Sequence, residues 1–187
     1  MAWKESASHI PVLVSLSQQY PFDTVLEVGS GSLSTSLFLE PSIYPELELL
    51  ISIEDDLHWR IRMLALHGDD PRYTSLPEYT AGDAKDFDLV FFDGPQDKLK
   101  RIALLPLVSK DCELLVVHDT ENEELLKAID TRLSYRYTFN WIAPHTTIAS
   151  RYPFDAVKLQ RHEEIMKIHF NDIEEDWFAW FELFNRS

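Results

Sequence analysis

Residues 24–39, TVLEVGSGSLSTSLFL, decide the reading of this chain. Thr24 to Val28 is a strand-like apolar run broken by one acid, Glu27, and it passes straight into Gly29-Ser30-Gly31 and a helix-like stretch. That succession reads as a nucleotide-binding βα turn. Glycines without Cβ let the backbone turn sharply and approach a ligand, while free N–H groups of the following helix point at it.

Working outward, apolar runs at 49–53, 88–93 and 113–118 predict further strands, the last two almost continuously apolar, as parallel strands buried on both faces are. Helical spacing falls between them. Leu57, Ile61 and Leu64 share one predicted buried face, with His58, Arg60 and Arg62 more exposed. A crossover helix is expected from Asp97, carrying Leu99, Ile102, Ala103 and Leu105 inward and ending early at Pro106. Thr120-Glu-Asn-Glu123 has capping-box spacing. Runs at 135–142 and 146–152, joined by a link too short for a crossover, should pair as an antiparallel hairpin. The expected fold is α/β: a doubly wound, mostly parallel sheet between two helical layers, with that hairpin at its end. One domain is expected, divided into a leading helix (1–22, with Pro11 in its first turn), a cofactor-binding core (23–152) and an acidic, aromatic extension (153–187). On the extension Trp177, Trp180, Phe181 and Phe184 share a helical face, which suits core packing or a homodimer contact.

Composition narrows the partners. With 17 Lys and Arg against 32 Asp and Glu, the formal charge is −15, and such a surface repels nucleic acid and anionic membranes. The single cysteine, Cys112, excludes an internal disulfide and fits a reducing, cytoplasmic setting. The polar opening residues MAWKESASH and the lack of a long apolar run argue against a signal peptide or membrane span.

In an open α/β sheet the ligands bind at the strand C-terminal ends, here Gly29 to Gly31, Glu54, Asp93 to Gln96 and His118 to Thr120, with the hairpin turn at Pro144 and His145 facing the same edge. A dinucleotide fingerprint would want glycine where Ser34 stands, and the chain lacks a second mononucleotide-binding half, which disfavours a dinucleotide enzyme. Glu27-Val-Gly-Ser-Gly31, Glu54 ending the second strand, Gly82-Asp-Ala84 and the 88–95 stretch DLVFFDGP, in that order, resemble the class I S-adenosylmethionine-dependent methyltransferases. The nearest resemblance is to the small-molecule O-methyltransferases. It implies S-adenosylmethionine as cofactor, held by Glu27, Gly29, Ser30, Gly31, Glu54, Asp55, Asp83, Ala84 and Asp93, and transfer of a methyl group to a small-molecule oxygen acceptor. Metal-dependent members imply Mg²⁺ between Asp93 and Asp119; the metal-free version uses His118 or His145 as general base. Three departures stand out: Leu33 where a third glycine is common, Thr120 where an amide ligand is common, and Gln96 where a catalytic lysine often stands. A non-catalytic binding protein on the same fold is the alternative.

Overall fold

The computed structural model describes residues 8–80, 82–170, 173 and 177–186, apart from the side chain of Asp83. Its elements run α1 (Ile10–Ser17), β1 (Thr24–Val28), α2 (Ser32–Phe38), β2 (Leu49–Ile53), α3 (Leu57–His67), β3 (Tyr73–Leu76), a 3₁₀ turn (Asp83–Asp86), β4 (Leu89–Phe92), α4 (Lys98–Asp111), β5 (Leu114–His118), α5 (Glu123–Ala128), β6 (Tyr135–Phe139), β7 (Thr146–Ser150), α6 (Ala156–His169) and α7 (Trp177–Asn185). The strands form one sheet in the order β3-β2-β1-β4-β5-β7-β6. The first five are parallel, and β7 inserts antiparallel between β5 and β6. This is the doubly wound sheet with the terminal hairpin that the apolar runs and the short 143–146 link anticipate.

Alternate residues of each central strand feed opposite faces, as the strand period of two requires. Val25, Phe91, Val116 and Ile148 join a core built with α1, α2, α6 and α7. Leu26, Val90, Phe92, Leu115, Val117 and Ala149 join a second core roofed by α4 and α5. Cys112 lies in that second core, where burial pushes its thiol up to about 12, so it stays inert. No helix among the described residues is long and apolar enough to cross a membrane.

Several local expectations are corrected. The edge strand β3 carries no apolar run, since only Tyr73 of its four residues is buried, and the sequence pattern passes it by. α1 is buried all round, with α7 packed against it. On α3 the apolar stripe faces outward: Leu57, Ile61 and Leu64 are exposed, and Met63 is the buried residue. α4 continues past Pro106 to Asp111, since burial of Leu105 and Val108 outweighs one missing hydrogen bond; Leu99 is exposed and Arg101 buried instead. The N-cap of α5 is Asn122, whose side chain accepts from the Glu124 N–H, and Thr120 instead accepts from the Thr147 hydroxyl.

The face of α7 that packs inward bears out the aromatic stripe, with Trp180 and Phe184 buried. Phe184 stacks on His162 of α6 at 4.3 Å between ring centroids, and His162 Nδ1 lies 2.6 Å from Ser15 Oγ of α1. Burial, reinforced by Lys158 and Arg161, pulls the His162 pKa down to about 4. The unfolded imidazole titrates near 6.5, so the unfolded chain takes up a proton the folded one refuses. Stability from this residue is complete above pH 6.5 and is lost toward pH 4, at up to about 1.4 kcal/mol per pH unit. Glu27 acts oppositely, because burial raises its pKa to about 7 and the folded chain takes up its proton first as pH falls. Thermal melts across this window should therefore show His162→Phe with a flatter acid-side decline than the parent; parallel declines would refute the assignment.

Candidate functional site

The carboxyl ends of β1, β2 and β4 meet at two adjoining cavities that share Gly29, Glu54 and Pro95. One, of about 350 Å³, is mainly apolar, walled by Ile53, Pro77, Tyr79, Leu104 and Leu107, with Asp55 and Lys100 at its mouth. The other, of about 460 Å³, is polar, lined by the 29–34 loop, Asp56, Trp59, Asp93, Gln96 and His9.

The loop itself is organised from below. Glu27 is fully buried, and its carboxylate accepts from Ser34 Oγ at 2.6 Å, from Thr35 Oγ1 at 2.7 Å and from the Ser52 hydroxyl. It lines neither cavity, so it shapes the loop rather than presenting itself to a ligand. Gly29 has φ +89°, and a Cβ there would lie 2.5 Å from the Gly94 nitrogen. The glycine is therefore demanded by the approach of the β4 loop, a reason different from ligand approach. Gly31 precedes α2, and a Cβ on it would meet Ser34 Oγ at 2.7 Å, disturbing the hydroxyl that serves Glu27. Leu33, where glycine was the pattern, packs against the α1-side core and borders the polar cavity.

Glu54 stands where both cavities meet. Its Oε1 accepts from the Asp56 N–H at 2.8 Å and its Oε2 from Ser30 Oγ at 3.2 Å, which leaves further lone pairs for a ligand's hydroxyls. Trp59 closes the loop from above, donating its ring N–H to the Ser30 carbonyl at 2.6 Å. Asp55 pairs with Lys100 at 3.0 Å in solvent. Ala84 is buried in the α4-side core and lines neither cavity, and the Asp83 side chain lies outside the described residues.

The acceptor side is dominated by a residue that sequence reading passes over. Arg101, buried one turn into α4, donates from Nη1 to Asp119 Oδ2 at 2.8 Å, from Nη2 to the His118 carbonyl at 2.7 Å, and reaches Asp93 Oδ1 at 3.4 Å. A guanidinium thus bridges the two carboxylates between which Mg²⁺ was expected. Its fixed positive charge and filled volume do not fit a cation there. Asp119 holds φ +60°, an uncommon conformation for a non-glycine residue, with its carboxylate turned to Arg101. His118 lies behind Asp93 and outside both cavities: Nδ1 is 3.0 Å from Asp93 Oδ1, and Nε2 is 3.0 Å from Ser8 Oγ. Burial lowers its pKa, but Asp93 and Asp119 outweigh that and leave it raised. Burial likewise opposes ionisation of Asp93, yet His118, His9 and Arg101 hold it below the usual carboxylate range. With both nitrogens engaged, His118 is placed to hold Asp93 rather than to take an acceptor's proton. His145 stands at the hairpin turn, where its carbonyl accepts from Thr120 N–H and its own N–H donates to Glu121, and it too lies outside the cavities.

His9 is the second residue missed. It is fully enclosed, borders the polar cavity, and packs edge-on against His118 at 4.6 Å. Its one sequence signal is its position immediately before the helix that Pro11 starts.

No protein-family model and no curated protein matches the sequence. Solved structures do. The chain is similar to the N-methyltransferase NodS from Bradyrhizobium japonicum WM9, at 14% identity and TM-score 0.53, covering 78% of this chain and 94% of that one. It is similar to the precorrin-6y C5,15-methyltransferase from Geobacter metallireducens GS-15, at 15% identity and TM-score 0.53, covering 78% and 88%. It is also similar to the spermidine synthase from Thermotoga maritima, at 18% identity and TM-score 0.52, covering 85% and 64%. The strand order, the antiparallel terminal hairpin and these likenesses together establish that the chain has the class I methyltransferase fold.

Proposed function

We propose that this protein is an S-adenosylmethionine-dependent methyltransferase acting on the oxygen of a small molecule. The observation that carries the reading is the convergence of Glu54 and the 29–31 loop on one divided cavity, with an apolar slot on one side and Asp93 on the other. The apolar slot suits a flat heterocycle, Glu54 suits paired hydroxyls, and the loop backbone suits the polar remainder of such a cofactor. The cofactor would supply an electrophilic sulfonium methyl group.

The chain's own residues supply the rest. Asp93, ionised and held by His118 and Arg101, orients the acceptor's hydroxyl as a hydrogen-bond acceptor. A carboxylate with a lowered pKa is a weak base, so the main contribution is positioning, worth up to about 7–11 kcal/mol in well-oriented intramolecular reactions. Trp59 and the half-buried loop limit water. A surface of charge −15 and a cavity of a few hundred Å³ support a small acceptor over a nucleic acid.

Titration calorimetry with S-adenosylhomocysteine tests this. One molecule should bind per chain, and Glu54→Ala should weaken binding on the order of 10- to 100-fold, since a carboxylate contacting two hydroxyls contributes about 1.5–3 kcal/mol. Absence of binding at millimolar ligand, or equal binding by the variant, rejects the cofactor assignment.

A further inference from the structure

Two polar contacts hold the His118 ring. Ser8 Oγ lies 2.7 Å from the Pro144 carbonyl, which can only accept, so the Ser8 hydrogen is committed there. Toward His118 Nε2, 3.0 Å away, Ser8 can then act only as acceptor, and Nε2 carries the hydrogen. Nδ1 is left facing Asp93 Oδ1 at 3.0 Å. Nδ1 and Oδ1 are close enough to share a metal ion.

His9 supplies the independent observation. Among the described residues neither of its nitrogens has a hydrogen-bond partner, although the ring is buried and borders the polar cavity. A buried nitrogen without a partner is unfavourable. A metal engages one of the two, because one ligand atom from each of His9, Asp93 and His118 lies within 4.8 Å of the other two. Ligand atoms around a tetrahedral zinc stand roughly 3.3 Å apart, so small side-chain shifts close the shell.

We propose that His9, Asp93 and His118 bind a divalent transition-metal ion of the zinc class, with the polar cavity supplying its open position. Two imidazoles and one carboxylate favour such an ion over Mg²⁺, which prefers oxygen. Ser8 orients the His118 ring through Nε2, as the outer hydrogen bond of a ligating histidine does. Arg101 Nη2 lies 3.4 Å from the same Oδ1 that faces His118, so the ion would engage Asp93 on its His9 and His118 side, away from the space between Asp93 and Asp119 that the guanidinium fills. Metal binding stands apart from the methyl-transfer reading; only its use in that reaction would rest on it.

The metal-free full chain is titrated with Zn²⁺ by calorimetry and with Co²⁺ by visible absorption. One ion per chain is expected, with Co²⁺ bands of a four- or five-coordinate site. Ser8→Ala should weaken binding roughly 10- to 100-fold and His9→Ala by more, while His58→Ala, on the exposed side of α3, should bind as the parent does. Substoichiometric uptake, or undiminished binding by both Ser8→Ala and His9→Ala, overturns the proposal. Circular dichroism verifies that each variant is folded, and should His9→Ala not fold, Ser8→Ala decides. S-adenosylhomocysteine binding, measured on the same samples, distinguishes failure of the metal site from failure of the cofactor site.

Discussion

Gly29→Ala is expected to lower the melting temperature by roughly 6–12 °C, corresponding to about 3 kcal/mol in a chain of this size. Two costs combine. A side chain at φ +89° is strained by about 1–3 kcal/mol. The new Cβ would also lie 2.5 Å from the Gly94 nitrogen and 2.6 Å from its Cα, so the β4 loop must move, at a further cost of about 1–3 kcal/mol. Gly94→Ala shares the second cost, since its Cβ would stand 2.6 Å from the Gly29 Cα, and it should be destabilised by a smaller amount. A melt of Gly29→Ala within about 2 °C of the parent would show that the β1 and β4 loops are not locked together in this way.

Arg101→Met should be comparably damaging for an electrostatic reason. Removing one partner of a buried ion pair costs about 3–5 kcal/mol, and the lower end applies here because the Asp119 side chain is 43% exposed. The His118 carbonyl also loses its donor. A melting temperature lowered by roughly 6–12 °C is expected, with partial recovery in Arg101→Lys, because an ammonium restores the charge without the fork that spans both carboxylates. S-adenosylhomocysteine binding by folded Arg101→Met should persist, since Arg101 borders neither cavity. Equal stability of parent and Arg101→Met would refute the bridging role.

These two residues illustrate what a sequence discloses. The β1-loop-α2 unit was legible because its signals are local: an apolar run, a glycine pair and a following helix lie within sixteen residues. The runs of β4 and β5 were legible because parallel strands buried on both faces carry apolar residues without interruption. Glu54 and Asp93 followed from topology, which places strand ends at one edge. The α3 stripe misled because helical spacing reports amphipathicity and not which side the sheet occupies. Pro106 misled because its local penalty was outweighed by tertiary burial. Arg101 and His9 left no local trace. Arg101 sits in a lysine-rich helix turn like any solvated cation, and only the convergence of α4 on the ends of β4 and β5 makes it a bridge. The reason for Gly29 was likewise tertiary, since its partner Gly94 lies far along the chain. The direct cofactor role implied for Glu27 gives way to a structural one because three hydroxyls, from α2 and β2, reach it first.

The packing of α1 against α7 ties the two ends of the described chain together. Ser8 and His9 stand at the threshold of α1, and α1 packs against Trp177–Asn185. Polypeptide emerging from a ribosome therefore has the glycine loop, Glu54 and Asp93 before it has the residues that complete the packing around the His9 wall, from His118 and Pro144 to α6 and α7. Packing of the cavity's His9 wall is completed by a helix made late, after synthesis has passed Trp177.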